Sequence, residues 1–319
     1  MPVTERLSSL IPLAMAGMRL DQALAELFSG YSRARLQQWI RNGQVMVDAR
    51  QWRPKDKVSG GERVEIVAAL EEEVTSQPQP IPLTVVYEDE ALLVINKSAG
   101  LVVHPAAGNP EGTMLNALLH HAPELIHVPR AGIVHRLDKD TSGLLVVART
   151  LKAQAHLVEQ LQERAFEREY EAVAVGVMTA GGRVDAPIGR HPVDRKRMAV
   201  TASGKEAVTH YRVAERFRAH THVKVRLETG RTHQIRVHMA HIHYPLLGDP
   251  VYGGRLRIPR DSGAGLADTL RHFKRQALHA ARLGLVHPES GERMGWQVPL
   301  PDDMAALLGI LREDRMSHE

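Results

Sequence analysis

The segment Glu71-Glu72-Glu73-Val74-Thr75-Ser76-Gln77-Pro78-Gln79-Pro80 constrains this chain more than any other. Consecutive acids repel one another and the prolines lack a ladder donor, so neither helix nor strand is favoured there. Strand-like pattern restarts at Leu83. The chain therefore reads as a small domain over residues 1–70 with its core at 18–67, a linker at 71–82, and a large domain at 83–319. No repeat of fixed period and no other low-complexity tract interrupts this plan.

Hydrophobic residues at 43% and charged residues at 24% are enough to build a core and exclude a wholly disordered chain. The absence of cysteine excludes a disulfide scaffold, thiol catalysis, iron–sulfur clusters and Cys-ligated zinc. The uncharged apolar stretch from Leu7 to Met18 has twelve residues, short of the roughly 20 that a membrane helix needs. Glu5 and Pro12 also argue against a signal peptide there, so the cytoplasm is the expected compartment.

In the small domain, Leu20, Leu24 and Leu27 mark a first helix begun by Asp21. Ser32 is positioned to cap a second helix, with Leu36 and Ile40 on its apolar stripe and Gly43 ending it. Strands are expected at Gln44–Asp48 and Glu62–Val67. Between Ser32 and Lys57 seven basic residues face two acids, an excess of five against four for the whole chain. Arg33, Arg35 and Arg41 make a basic helix face the candidate RNA contact, a merely solvated face being the alternative. The pattern Met18-Arg19-Leu20-Asp21, Ser32-Arg33-Ala34-Arg35 and Gly43-Gln44-Val45-Met46-Val47-Asp48 resembles an S4-type RNA-binding domain. At 4% aromatic residues, a sheet that stacks bases on several exposed rings is disfavoured.

In the large domain, Ala91–Asn96, Gly143–Ala148 and Ala172–Val175 are strand-like, and His222–Glu228 alternates with Val223, Val225 and Leu227 on one side. A helix is expected over Leu151–Ala165, capped by Thr150, with Leu151, Ala155, Val158, Leu161 and Ala165 on one stripe. The fold class expected is α+β: a small RNA-binding domain, then a catalytic domain built on a mixed, mostly antiparallel sheet with flanking helices.

Two segments are too polar for their apolar neighbourhood. His135-Arg136-Leu137-Asp138-Lys139-Asp140-Thr141-Ser142 runs through Gly143 into a buried strand, an arrangement that holds a carboxylate rigidly at a cleft mouth. On pattern alone Asp138 reads either as a catalytic carboxylate or, with Asp140, as a turn former. The second segment, Gly230-Arg231-Thr232-His233-Gln234-Ile235-Arg236-Val237-His238, precedes His241 and His243. These histidines, spaced by five, three and two, do not share one face, so no metal is expected.

Together with Arg168-Glu169-Tyr170-Glu171-Ala172-Val173, Leu247-Gly248-Asp249-Pro250-Val251-Tyr252-Gly253-Gly254 and the upstream Asn96-Lys97 and Val102-Val103-His104-Pro105, these segments resemble the pseudouridine synthases. The likeness is to the branch that modifies large ribosomal RNA and includes the synthase D type. It covers nearly the whole chain. Departures are Ser142, often Thr in that family, and the segment 263–269.

The resemblance implies Asp138 as the nucleophile and Arg231 as the cation paired with it. It further implies Tyr170 as the ring stacked on uracil, with a hydroxyl that could help move the C5 proton. Ile235 completes the apolar wall, and Arg136 contacts the RNA beside the nucleophile. No cofactor is implied, because the isomerisation needs neither redox change nor a group donor. The implied partner is 23S rRNA, at the helix 69 stem-loop, or the immature large ribosomal subunit; neither DNA nor a membrane is implied, and a monomer is expected. The same chemistry on tRNA or another rRNA site is the rival within the family. A non-catalytic RNA-binding assembly factor is the rival outside it. The basic runs Arg190–Arg197 and Arg255–Arg260 read as phosphate contacts or as solvated loops.

Overall fold

The computed structural model describes residues 4–28, 31, 33–69, 76–106, 108–194 and 197–319. In the small domain, β1 (Thr4–Leu10) leads to α1 (Leu20–Leu27), α2 (Arg33–Arg41), β2 (Val45–Val47) and β3 (Arg63–Ala69). Leu20, Ala23 and Leu24 of α1 meet Leu36, Trp39 and Ile40 of α2 over the inward side of β3, where Val64, Ile66 and Ala68 are buried. These spacings of three and four on the helices and two on the strand match the expected faces.

The expected core at 18–67 omits β1, which pairs antiparallel with β3 from Thr4↔Ala69 to Leu10↔Arg63. As the edge strand in the order β1-β3-β2, it shows little alternation, and Leu10 is 64% exposed. Ladder hydrogen bonds hold it, with Leu7 alone of its described side chains packed against the core. Ser32, the expected helix cap, and residues 71–75 of the expected linker lie outside the described residues. The linker's other end is docked: Asn116 Nδ2 donates to Gln77 O at 2.8 Å, and Gln79 Oε1 accepts from Gly112 N at 2.8 Å.

The large domain runs β4 (Val85–Glu88), β5 (Leu92–Lys97), α3 (Met114–His121), β6 (Ser142–Ala148), α4 (Leu151–Gln162), β7 (Glu167–Val175), β8 (Gly182–Asp185), β9 (Ile188–Arg190) and β10 (Met198–Val200). It continues with β11 (Val208–Arg216), β12 (His220–Leu227), α5 (Gln234–His241), α6 (Ala264–His272), β13 (Leu278–Val286), β14 (Arg293–Gln297) and α7 (Asp302–Met316). Among the described residues its main sheet is ordered β4-β5-β6-β13-β7-β12-β11-β8, with β14 paired to β13. Only the β6–β13 pairing is parallel, as expected of a mostly antiparallel mixed sheet.

Strands β5 and β6 are covered on both faces, which explains their unbroken apolar sequences. Leu93, Ile95, Leu145 and Val147 pack toward α3 and α5, whereas Leu92, Val94, Leu144 and Val146 pack toward α4. Helix α4 is capped by Thr150 Oγ1, which accepts from Ala153 N at 3.0 Å. Its buried face is Ala153, Leu157 and Gln160, rotated from the expected stripe, and Val158 is 36% exposed. The cause is polar: Gln160 donates to Val286 O at 2.7 Å and accepts from Val286 N at 2.9 Å, tying the helix to β13. Among the described residues no helix is long and apolar enough to cross a membrane.

Candidate active site

The loop before β6 carries Asp138, and three devices fix it. Gly143 has φ +113°, and a Cβ there would lie 2.3 Å from Ala280 O, so only glycine lets β6 approach β13 this closely. Thr141 N donates to Asp138 O at 3.1 Å, closing the turn. Beneath it the buried Lys97 ammonium donates to the carbonyls of Ser98, Leu101 and Lys139, each at 2.9 Å. Burial brings the Lys97 pKa down to about 8, against the opposing pull of Asp140 and Asp138.

The facing wall is folded around one amide. Gln234 Oε1 accepts from Thr229 Oγ1 at 2.8 Å and Arg231 N at 2.9 Å, while Nε2 donates to Val208 O and Thr209 Oγ1, each at 3.0 Å. His233, at φ +56°, turns the chain into α5. The first turn of that helix places Ile235 and Arg236 in the cleft, both at least nine-tenths buried.

Arg236, not the expected Arg231, is the cation on the nucleophile candidate. Its Nη1 donates to Asp138 Oδ2 at 2.9 Å, while Nε and Nη2 donate to Asp249 at 2.7 and 2.9 Å. Arg231 lines the same cleft, but its Nε donates to Glu206 O at 2.9 Å. The segment offers two arginines, and sequence spacing could not choose between them. The start of α5 at Gln234 decides, because it carries Arg236 inward on the first helical turn.

Asp249 accounts for the rigidity of this contact. Burial alone would raise its pKa, but Arg236 and the N–H groups of Tyr252 and Val251 bring it below the ordinary carboxylate value. Arg236 is pulled down by burial yet ends above its ordinary value because two carboxylates face it. Next to Asp138, His233 Nε2 lies 3.8 Å from Oδ1, and its Nδ1 is 2.8 Å from the Tyr252 hydroxyl. Burial lowers the His233 pKa even with Asp138 opposing.

Strand β7 forms the floor, with Arg168 and Tyr170 on the same buried side. Burial raises the Tyr170 pKa; Arg168 opposes and Asp138 adds to the rise, so the phenol stays neutral. The cleft, about 370 Å³, brings together Arg136, Asp138, Tyr170, Arg231, Ile235 and Arg236, with Arg136 exposed. The candidates Arg33, Arg35 and Arg41 lie on α2 in the small domain.

Arg33, one of the candidate RNA contacts, also serves the domain itself while its side chain stays 45% exposed. Its guanidinium ion-pairs with the fully buried Asp21 carboxylate at 2.7 Å, a contact within the domain. Arg41 is exposed and donates to Gln37 Oε1 at 3.3 Å, and Arg35 is half-buried. No cluster of three metal-ligating side chains occurs among the described residues. His238 instead bonds Thr209 Oγ1 at 2.8 Å and Ala186 O at 2.9 Å in the interior.

Comparison with known proteins gives these features a family. The RNA pseudouridylate synthase family model matches residues 91–241, and the S4 domain model matches residues 18–64. A protein named ribosomal large subunit pseudouridine synthase D from Escherichia coli strain K12 is 60% identical over 304 residues, covering 95% of this chain and 93% of that protein. The chain belongs to the RNA pseudouridylate synthase family. A protein of the same name from Pseudomonas aeruginosa is 59% identical, covering 96% of this chain and 95% of its own. Among solved structures, human RNA pseudouridylate synthase domain containing 4 matches with a TM-score of 0.56 at 29% identity, over 72% of this chain and 93% of that one. The matched segment 91–241 contains Asp138, Tyr170 and Arg236, but not Asp249.

Proposed function

We propose that this family member isomerises uridine to pseudouridine in large-subunit ribosomal RNA, with the helix 69 stem-loop of 23S rRNA as its target. The observation that carries this reading is the Asp138 carboxylate, fixed by Arg236 in one cleft with the buried ring of Tyr170. The names of its bacterial relatives and the S4 match to the small domain support the choice of RNA.

In this reading Asp138 attacks the ribose at C1′, and the electron pair of the C1′–N1 bond leaves with uracil. The base turns, C5 bonds to C1′, Asp138 departs, and the C5 proton is lost. Arg236 holds the attacking carboxylate in place and aims it. Tyr170, a neutral phenol, stacks on the base rather than acting as an unaided general base. Ile235 supplies an apolar wall that keeps water from the separated base. The target nucleotide must leave its stack to enter the cleft, and Arg136 at the exposed mouth contacts RNA there.

Arg231 takes a place among the RNA contacts at the cleft rather than at the nucleophile, and Arg35 and Arg41 belong to the docking face of the small domain. The chain acts as a cytoplasmic monomer on rRNA or an immature large subunit, without a cofactor.

Incubation with 23S rRNA or immature large subunits carrying tritium at uridine C5 tests the reading, because rebonding at C5 expels that label. Wild type should release tritium and Asp138→Ala should not. Release from tRNA alone would move the substrate, and silence on every RNA would overturn the catalytic reading.

A further inference from the structure

Arg168 is the one buried arginine lining the cleft whose charge the scheme above leaves unused. It is 7% exposed, yet it has no carboxylate partner among the described residues. The nearby Glu228 carboxylate is taken by His210 and Arg164, and Arg168 reaches only the Glu228 carbonyl, at a long 3.4 Å. Its Nε is buried with no hydrogen-bond partner. A buried cation left this way is costly unless a ligand compensates it. Arg236, the other deeply buried arginine of the cleft, has two carboxylates.

The surroundings make room for such a ligand. A Cβ on Gly230 would fall 2.7 Å from Arg168 Nη1, so glycine at 230 is what lets the guanidinium occupy the cleft wall. Arg168 lies two residues before Tyr170 on the same side of β7, and both line the cleft with Asp138. Arg168 therefore sits where the base is held, while Asp138 serves the sugar.

We propose that Arg168 is a catalytic residue that stabilises the uracil anion while it is detached from the ribose. The inference rests on reading the cleft as the uridine pocket. When the C1′–N1 bond breaks heterolytically, its electron pair spreads over N1, O2 and O4 of uracil. A preorganised cation in a water-poor site is worth most to charge that develops during reaction.

The symmetry of the base adds a second reason. A half-turn about the N3–C6 axis exchanges N1 with C5 and O2 with O4. A single guanidinium facing one carbonyl position therefore meets O2 before the turn and O4 after it. One fixed residue serves both bond breaking and bond making.

The test compares full-length wild type, Arg168→Gln and Arg168→Lys on a stem-loop RNA whose target is uridine or 5-fluorouridine. Fluorine at C5 stabilises the uracil anion, so its departure depends less on an external cation. Single-turnover rates come from tritium release for uridine and from the fluorine NMR signal of the converted base for 5-fluorouridine; RNA affinity and thermal melting are measured alongside. Arg168→Gln should slow uridine conversion about 100-fold at saturating RNA with affinity unchanged. It should slow 5-fluorouridine conversion clearly less, and Arg168→Lys should recover part of the loss.

Equal rates for Arg168→Gln and wild type would overturn the proposal. So would weaker RNA binding with an unchanged saturating rate, which marks a phosphate contact. Equal defects on both bases without rescue by lysine would reduce Arg168 to a structural role. If Arg168→Gln fails to fold, the same base comparison made with Arg168→Lys decides. An inert wild type would instead overturn the reading of the cleft on which this rests.

Discussion

Arg236 joins Asp138 to Asp249: one guanidinium nitrogen holds the first at 2.9 Å, and the other two hold the second at 2.7 and 2.9 Å. Asp249 in turn accepts from Val251 N at 2.8 Å and Tyr252 N at 3.0 Å, so backbone donors anchor it independently of Arg236. The pair on the Asp249 side is bidentate, which fixes the plane of the guanidinium and hence the direction of the donor on Asp138.

Asp249→Asn should therefore lower the single-turnover rate at least 10-fold and stability by about 3 kcal/mol, because an amide turns a donor toward the buried guanidinium. RNA affinity should remain within twofold, since Asp249 is buried behind Arg236. Tritium-release kinetics with denaturant titration check this. An unchanged rate at saturating RNA would mean that Arg236 does not need its second carboxylate to aim Asp138.

Lys97 should matter as much from the other side of the nucleophile loop. Its three N–H groups meet three carbonyls, one of them that of Lys139, the residue after Asp138. Lys97→Met keeps much of the volume but orphans those carbonyls. Stability should fall by about 3 kcal/mol, given 1.5–3 kcal/mol for a hydrogen bond to a charged group and partial rehydration of the rest. The rate should fall about 10-fold as the loop loosens. A stability loss with an intact rate would show that Gly143 and Thr141 suffice to place Asp138.

The sequence made strands legible where a face alternates, as at Val223, Val225 and Leu227, or where both faces are buried, as in β5 and β6. Thr4–Leu10 was illegible because an edge strand needs ladder bonds, not a pattern of its own. Asp138, Tyr170 and Ile235 were legible through motif resemblance, and they do share one cleft. The partner of Asp138 was misread because Arg231 and Arg236 are equivalent in composition, and only the helical turn starting at Gln234 separates them. Arg168 opens the segment Arg168–Val173, but its isolation from carboxylates is a three-dimensional fact that no spacing encodes.

Asp21 should be a structural keystone of the small domain. Its side chain is fully buried and is reached by Arg19 at 3.0 Å, by Arg33 at 2.7 Å and by Gln37. Burial would raise its pKa, but the donors from Arg19, Gln37 and Arg33 bring it to about 2. Asp21→Ala should destabilise the domain by 3–5 kcal/mol, on the order of other broken buried pairs. Because Trp39 and Trp52 lie in this domain and Trp296 in the other, fluorescence in a Trp296→Phe background reads it selectively. An unmoved transition would show that Arg19 and Arg33 gain nothing from Asp21.

His220 should give the chain an acid-sensitive interior. It begins β12, is 1% exposed, and its Nδ1 has no hydrogen-bond partner. Burial lowers its pKa to about 4, with Asp314 opposing; Asp314 is itself held by Arg218 at 3.0 Å. Below the unfolded histidine value near 6.5 the unfolded chain takes up a proton that the folded chain refuses, so stability falls as pH drops from about 6.5 toward 4. At 1.36 kcal/mol per pH unit, this residue should contribute a loss of about 2 kcal/mol between pH 7 and pH 5. Phenylalanine keeps the ring and removes the titration, so the loss on acidification in His220→Phe should be smaller by that amount. Urea titrations of both proteins at pH 7 and pH 5, made in a Trp39→Phe, Trp52→Phe background so that Trp296 alone reports, measure the difference. Parallel losses would mean that His220 is protonated in place and that water reaches the start of β12.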